Sequence, residues 1–251
     1  MLEFIARNKV LLLVFALWYA IGSLSPLAFY GIGFITIILF WRRAFFFEIF
    51  LGFIFILLLS DNLRYTTDFA KSFKNIYIVL LSAIAILERK RFGLDLDLFR
   101  YFIPFFLVAI VSMAFSPQMF TSFQKTLSYA LILFSAPQFL IFSFKERGPI
   151  VIKDLLFLGV TMILIGFAMR FIDPGWVISH GGRFRGLFGN PNGMGIFIIL
   201  LFGLTLITRD YFRALLTKSD LRWILITLIG ALILSGSRSA LIAVILFFLF
   251  S

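Results

Sequence analysis

The chain has 251 residues, 62% hydrophobic and 14% charged, with a formal net charge of +11 and a mean hydropathy of +1.07. That leaves too little polar surface for a soluble domain of this length, so the composition predicts an all-α polytopic transmembrane helix bundle forming a single domain over 1–251. Cysteine is absent and histidine occurs once, so disulfides, thiolate sites and His-cluster metal sites are set aside and no metal or cofactor is expected. The basic residues sit in short stretches between apolar runs, which is a topology signal and speaks against nucleic acid as a partner.

At the N-terminus, "MLEFIARNKVLLLVFALWYA" has the charged start and apolar core of a signal peptide. It lacks a small-x-small cleavage site and leads straight into further apolar sequence, so a retained first helix is expected. Spans need roughly 20 apolar residues, and shorter ones survive inside a bundle. About ten such runs follow in order, at 10–23, 27–41, 44–60, 75–88, 100–115, 126–144, 151–171, 193–208, 222–235 and 238–251.

Only "SLSP" separates the first two runs. One kinked helix would be about 46 Å long and would set Arg7 and Lys9 opposite Arg42 and Arg43. A hairpin places both pairs on one side, and is the preferred reading. Glu48, early in the third run, is expected to pair with Arg42 and Arg43 or to snorkel. In "DNLRYTTDFAKSFK", Asp61, Arg64, Asp68 and Lys71 alternate in sign at helical spacing, the pattern of a helix end laced by salt bridges.

Further along, Lys153 and Asp154 flank a helix start, where an acid suits the dipole. Arg170 and Asp173 close the same run and would pair or line a site. Trp18, Trp41, Trp176 and Trp223 read as an interfacial aromatic belt, and Gly159 and Gly166 as small faces for helix packing.

With the N-terminus cytoplasmic, 15 Lys and Arg fall inside and 8 outside. The outer set is Arg64, Lys71, Lys74, Lys125, Arg170, Arg183, Arg185 and Arg238. Orientation gives no reason for the cations at 183, 185 and 238. The first two lie in "GGRFRGLFGNPNGMG", residues 181 to 195. Here Asn190-Pro191-Asn192 is turn chemistry opening a helix, and Gly186 and Gly189 permit left-handed backbone or close approach.

The third cation lies in "LILSGSRSALIAV", where Ser237 is a candidate N-cap and Arg238 occupies the first helical turn. A cation there is electrostatically unfavourable and calls for an anion. If the two helix starts adjoin, their free N–H groups and Arg238, with Arg183 or Arg185, would hold a phosphate. Of Arg183 and Arg185, which flank Phe184, one is expected to enter the site. Snorkelling of these arginines to lipid phosphates is the alternative.

The ordered segments "RFRGLFGNPNGMG" and "LSGSRSAL", with "SDNLRYTTDFAKSFK" and "QKTLSYALILFSAP" before them, resemble the O-antigen ligase and O-antigen polymerase family over most of the chain. These are bacterial inner-membrane glycosyltransferases of lipopolysaccharide and polysaccharide biosynthesis. They use undecaprenyl-diphosphate-linked glycans and need no metal.

The resemblance implies a catalytic role for Arg238 on the donor diphosphate, with Arg183, Arg185, Asn190, Asn192 and Ser237 as diphosphate contacts. It further implies lipid A core or a growing glycan as acceptor, membrane lipids as surroundings and an active face on the periplasmic side. The family's second arginine and its histidine base lie in a large periplasmic loop, and this sequence stops one span after Arg238. A C-terminal truncation, with the fragment inactive alone, is therefore the expectation. His180, before the NPN turn, does not match the family's histidine and reads as an ordinary loop residue. The alternative from another class is a transporter or carrier of lipid-linked glycan or a small anion. That reading predicts broken helices and ionisable residues near the membrane midplane.

Overall fold

A computed structural model describes residues 2–62, 64–93, 96–179 and 181–250, so His180 lies outside the described residues. The chain is 84% helical, with no strand among the described residues. In chain order the helices are α1 (Leu2–Leu24), α2 (Pro26–Arg42), α3 (Phe46–Ser60), α4 (Asp68–Leu87, entered through a 3₁₀ turn at Tyr65–Thr67), α5 (Arg89–Phe92), α6 (Asp97–Arg100) and α7 (Ile103–Ala114). They continue as α8 (Met119–Arg147), α9 (Ile150–Ile172), α10 (Pro174–Val177), α11 (Pro191–Tyr211), α12 (Lys218–Ser235) and α13 (Arg238–Phe250). Each of the ten apolar runs lies on a helix of its own, and α5, α6 and α10 are single turns in the connections. Among the described residues, five segments are long and apolar enough to cross a membrane: Glu3–Leu24, Tyr65–Leu87, Met119–Arg147, Ile150–Ile172 and Pro191–Tyr211.

The chain turns back between α1 and α2 as a hairpin. Ser25, in extended conformation, accepts a hydrogen bond from the Ala28 amide at 3.4 Å, and Pro26 opens α2 where a missing N–H costs nothing. Trp18 then meets Phe29 edge-on, with ring centroids 6.0 Å apart. Trp18 is 2% exposed and packs against Phe15, Phe29 and Tyr77, so it belongs to the core and not to an interfacial belt. A first helix carrying large aromatics on its inner face buries them before any interface can claim them.

Helix α3 is apolar all round and lies at the centre, with most of its residues buried. At 15 residues it is short for a span, as a helix enclosed by others can be. Between apolar helices in lipid, association rests on close van der Waals fit. Gly159 of α9 shows this, since a Cβ there would come within 2.6 Å of Leu201 of α11.

Successive helices run up and down, which gives the bundle two ends. One gathers the α2–α3, α8–α9 and α11–α12 turns. There Arg7 pairs with Asp154, Lys153 with Glu3 at 3.6 Å and Arg147 with Glu48 at 2.8 Å. Glu48 thus takes its cation from the end of α8 and not from Arg42 or Arg43. Asp154 serves a buried ion pair as well as a helix start. The other end gathers the 61–67 stretch, α10, the 178–190 loop and the starts of α11 and α13.

Candidate functional site

The sequence from Ile178 to Asn190 folds as a tight loop that doubles back on itself. Ile178 and Phe184 form an isolated antiparallel bridge, and the Ser179 amide donates to the Arg183 carbonyl at 2.9 Å. Phe184 is buried, its amide bonded to the Leu234 carbonyl of α12 at 2.9 Å. Gly186 adopts φ +56°, a left-handed angle, and its Cα sits so close to Gly166 that a Cβ there would be 3.1 Å away. Phe184 is pinned inward and the backbone turns left-handed at Gly186, and the two flanking arginines take different partners.

Arg183 turns toward the junction of α12 and α13. Its Nε donates to the Ser235 carbonyl at 2.8 Å, and its Nη2 to the Gly236 carbonyl at 3.1 Å and to Asn192 Oδ1 at 3.3 Å. Gly236 is left-handed at φ +59° and ends α12, whose last carbonyls have no partner within the helix. One guanidinium therefore ties the NPN segment to the Ser-Gly-Ser break. The two helix starts are neighbours: a Cβ on Gly195 of α11 would lie 2.6 Å from Ser237 Oγ and 3.0 Å from Ala240.

The amides at those starts differ from the sequence expectation. Pro191 has no N–H, Asn190 Oδ1 accepts from the Gly193 amide at 2.8 Å, and Asp61 accepts from the Gly189 amide at 3.0 Å. Helix α11 is thus largely capped by its own chain, and Asn190 is a cap. Ser237 precedes α13 but is buried, with its hydroxyl 3.5 Å from that of Ser239. Arg238 opens α13, is exposed and has no hydrogen bond or ion pair among the described residues. Asn192 is exposed beside it on the neighbouring start.

Arg185 turns the other way, donating to the Gly175 carbonyl at 3.1 Å and the Gly189 carbonyl at 3.4 Å. Arg64 donates to the same Gly175 carbonyl. Burial, with the neighbouring Arg64 charge second, holds the Arg185 guanidinium below its ordinary range. The Nε groups of Arg64 and Arg185 are both buried without a partner.

Among the described residues, the expected salt-bridge lace over 61–71 survives only as Lys71–Asp68 at 2.7 Å. Asp61, Asn62 and Arg64 reach across to the 175–189 region instead, Asn62 donating to the Leu187 carbonyl at 3.1 Å. Arg170 and Asp173 do not pair with each other among the described residues. Sequence spacing points Asp61 and Arg64 along their own helix, and nothing local signals a partner over 100 residues away.

Behind α10, Trp176 and Leu187 close an apolar cavity of about 380 Å³ lined by α1, α3 and α9. Among the described residues no group of three His, Asp or Glu side chains is placed to hold a metal ion. Searches against known protein families, curated proteins and solved structures find no match for this chain.

Proposed function

We propose that this chain belongs to a bacterial inner-membrane glycosyltransferase that uses an undecaprenyl-diphosphate-linked glycan, in the manner of the O-antigen ligases and polymerases. The observation that carries the reading is Arg238, exposed and unpartnered in the first turn of α13, next to the start of α11. The resemblance carried by the order of the Arg–Gly–NPN and Ser-Arg-Ser-Ala segments supports this class of substrate, and the junction of the two segments through Arg183 is consistent with it.

In the proposed reaction, an acceptor sugar hydroxyl attacks the anomeric carbon of the donor, the bond to undecaprenyl diphosphate breaks and the hydroxyl proton passes to water. Negative charge grows on the departing diphosphate. Arg238 and the first amides of α13 neutralise it, a preorganised stabilisation of developing charge. Arg183 acts as a positioning residue, since its donors are spent on backbone carbonyls and on Asn192. The apolar cavity under Trp176 offers room for part of the isoprenoid chain. The cytoplasmic N-terminus, the ten spans and the periplasmic face of the site are part of the same proposal. The carrier reading asks for ionisable groups at mid-membrane, whereas the arginines of this site stand at helix ends.

The test is binding of undecaprenyl diphosphate by the purified chain in detergent. Arg238→Ala should weaken binding by about 10- to 100-fold, the worth of a charge-assisted hydrogen bond, while helicity stays unchanged. Binding by that variant at the wild-type level removes Arg238 from the site and the proposal with it.

A further inference from the structure

Two segments of the sequence find no use in the diphosphate site: the start of α4, "FAKSFKN", and the start of α8, "TSFQKTLSY". They pack against each other, and between them lies a crevice of about 470 Å³. We infer that this α4–α8 crevice binds the headgroup of an anionic, hydroxylated phospholipid of the phosphatidylglycerol type. The inference stands apart from the diphosphate reading, because it uses none of the same residues.

The lining is divided by depth. Lys74 and Asn75 of α4 face Gln124, Lys125, Ser128 and Tyr129 of α8, and below them the walls turn apolar at Leu57, Ile78 and Ile132. Lys74 and Lys125 each lie six residues into their helices, about 9 Å from the helix start. Helix α8 has 29 residues and so is about 43 Å long, more than a hydrocarbon core of about 30 Å can cover. Its charged last turn, Lys145–Arg147, takes up part of that excess, and the polar Thr121, Gln124 and Lys125 place its first turns at headgroup height at the other end, with apolar walls running inward from there. A polar head over an apolar shaft is the outline of a lipid.

The charges select its sign. Neither lysine has a carboxylate or hydrogen-bond partner among the described residues, although Lys71, one turn earlier on α4, is paired with Asp68. Snorkelling relieves a lone lysine, but the short amides of Asn75 and Gln124 have no such reach, and polar groups left in lipid are costly. Two ammonium groups and no carboxylate suit one phosphodiester and disfavour a second cation, which speaks against a zwitterionic amine headgroup. The amides and the hydroxyls of Ser128 and Tyr129 match headgroup hydroxyls.

The purified full chain, exchanged with equimolar phosphatidylglycerol and phosphatidylcholine in detergent and read by native mass spectrometry, provides the test. Wild-type protein should retain phosphatidylglycerol over phosphatidylcholine by about tenfold, each lysine contributing a comparable share. The double variant Lys74→Gln/Lys125→Gln should fall to parity. Lys74→Arg/Lys125→Arg should keep the preference, and Lys71→Gln should match wild type. Because all three lysines are at least partly exposed, unfolding temperatures should stay close to wild type. Parity in the wild type, or an undiminished preference in the Lys→Gln double variant, overturns the assignment. Soluble glycerol phosphate retained as well as the lipid would overturn its lipid source.

Discussion

At one end of the bundle Arg7 meets Asp154, Arg147 meets Glu48 and Lys153 meets Glu3, whereas at the NPN end Arg183, Arg185 and Arg64 are held by backbone carbonyls and Arg238 by nothing among the described residues. A carboxylate cancels a cation; a carbonyl orients one and leaves its charge in place. Three cations of the first end have carboxylate partners within the chain. At the second end Asp61 keeps its charge while accepting from the Gly189 amide and pairs with none of these arginines among the described residues, so their positive charge is in excess. The difference separates cations cancelled by a carboxylate from cations that hold the fold with their charge intact, and leaves Arg238 alone with its donors open to a ligand.

The largest expected effect breaks an ion pair of the first end. Asp154 is 3% exposed in its side chain while Arg7 is 43% exposed, so removing the arginine strands a buried carboxylate. Arg7→Ala should cost about 2 to 3 kcal/mol, below the usual figure for breaking a fully buried pair because Arg7 is partly solvated. Asp154→Asn removes the charge along with its partner's task and should cost less. Both follow from denaturation midpoints in detergent, and equal losses in the two variants would show that packing, not charge, sets the cost. Neither variant should disturb undecaprenyl diphosphate binding.

At the NPN end a smaller loss is expected, of a different kind. Arg183→Ala leaves the Ser235 and Gly236 carbonyls without their donor and should cost about 2 kcal/mol. Arg183→Lys keeps the charge but cannot fork to three acceptors, so it should recover little of that stability. Diphosphate binding should fall in both, since Arg183 fixes the start of α13 against that of α11. Full binding by Arg183→Lys together with lost stability would recast Arg183 as a direct contact acting by charge alone.

The helices were legible because each apolar run is bounded by turn residues, as at Ser25-Pro26, Asn190-Pro191 and Ser235-Gly236. The adjacency of the α11 and α13 starts could be posed from sequence only as a condition, through the misplaced cation at Arg238. What each arginine touches was not legible. Arg183 binds carbonyls 52 and 53 residues away, and Arg64 a carbonyl 111 residues away, distances at which hydrophobic period and local spacing carry no information. The same holds for Glu48, which local spacing assigns to Arg42 and Arg43 while the bundle delivers Arg147. Trp18 was misplaced for a related reason: amphipathic rings suit an interface and a core alike until the neighbours are known.

The smallest effect sharpens the contrast at the level of helix caps. Both α11 and α12 begin with a side-chain cap: Asn190 accepts from Gly193, and Thr217 exchanges hydrogen bonds with Asp220 in a capping box. Replacing either cap by alanine should cost about 1 kcal/mol, as caps generally do. Asn190→Asp is the informative change, because aspartate caps as well as asparagine and suits the positive end of the helix. Repulsion from Asp61, whose carboxylate already stands at this helix start, offsets the gain, so stability should stay close to wild type. Yet the new carboxylate would stand at the start of α11, where the diphosphate is proposed to lie beside Arg238, and like charges repel. Undecaprenyl diphosphate binding should therefore fall by about 3- to 10-fold with no loss of stability, an opposition that a purely structural NPN turn would not produce. If Asn190→Asp binds as wild type, the anion does not reach the α11 start, and the site contracts to Arg238 and the first turn of α13.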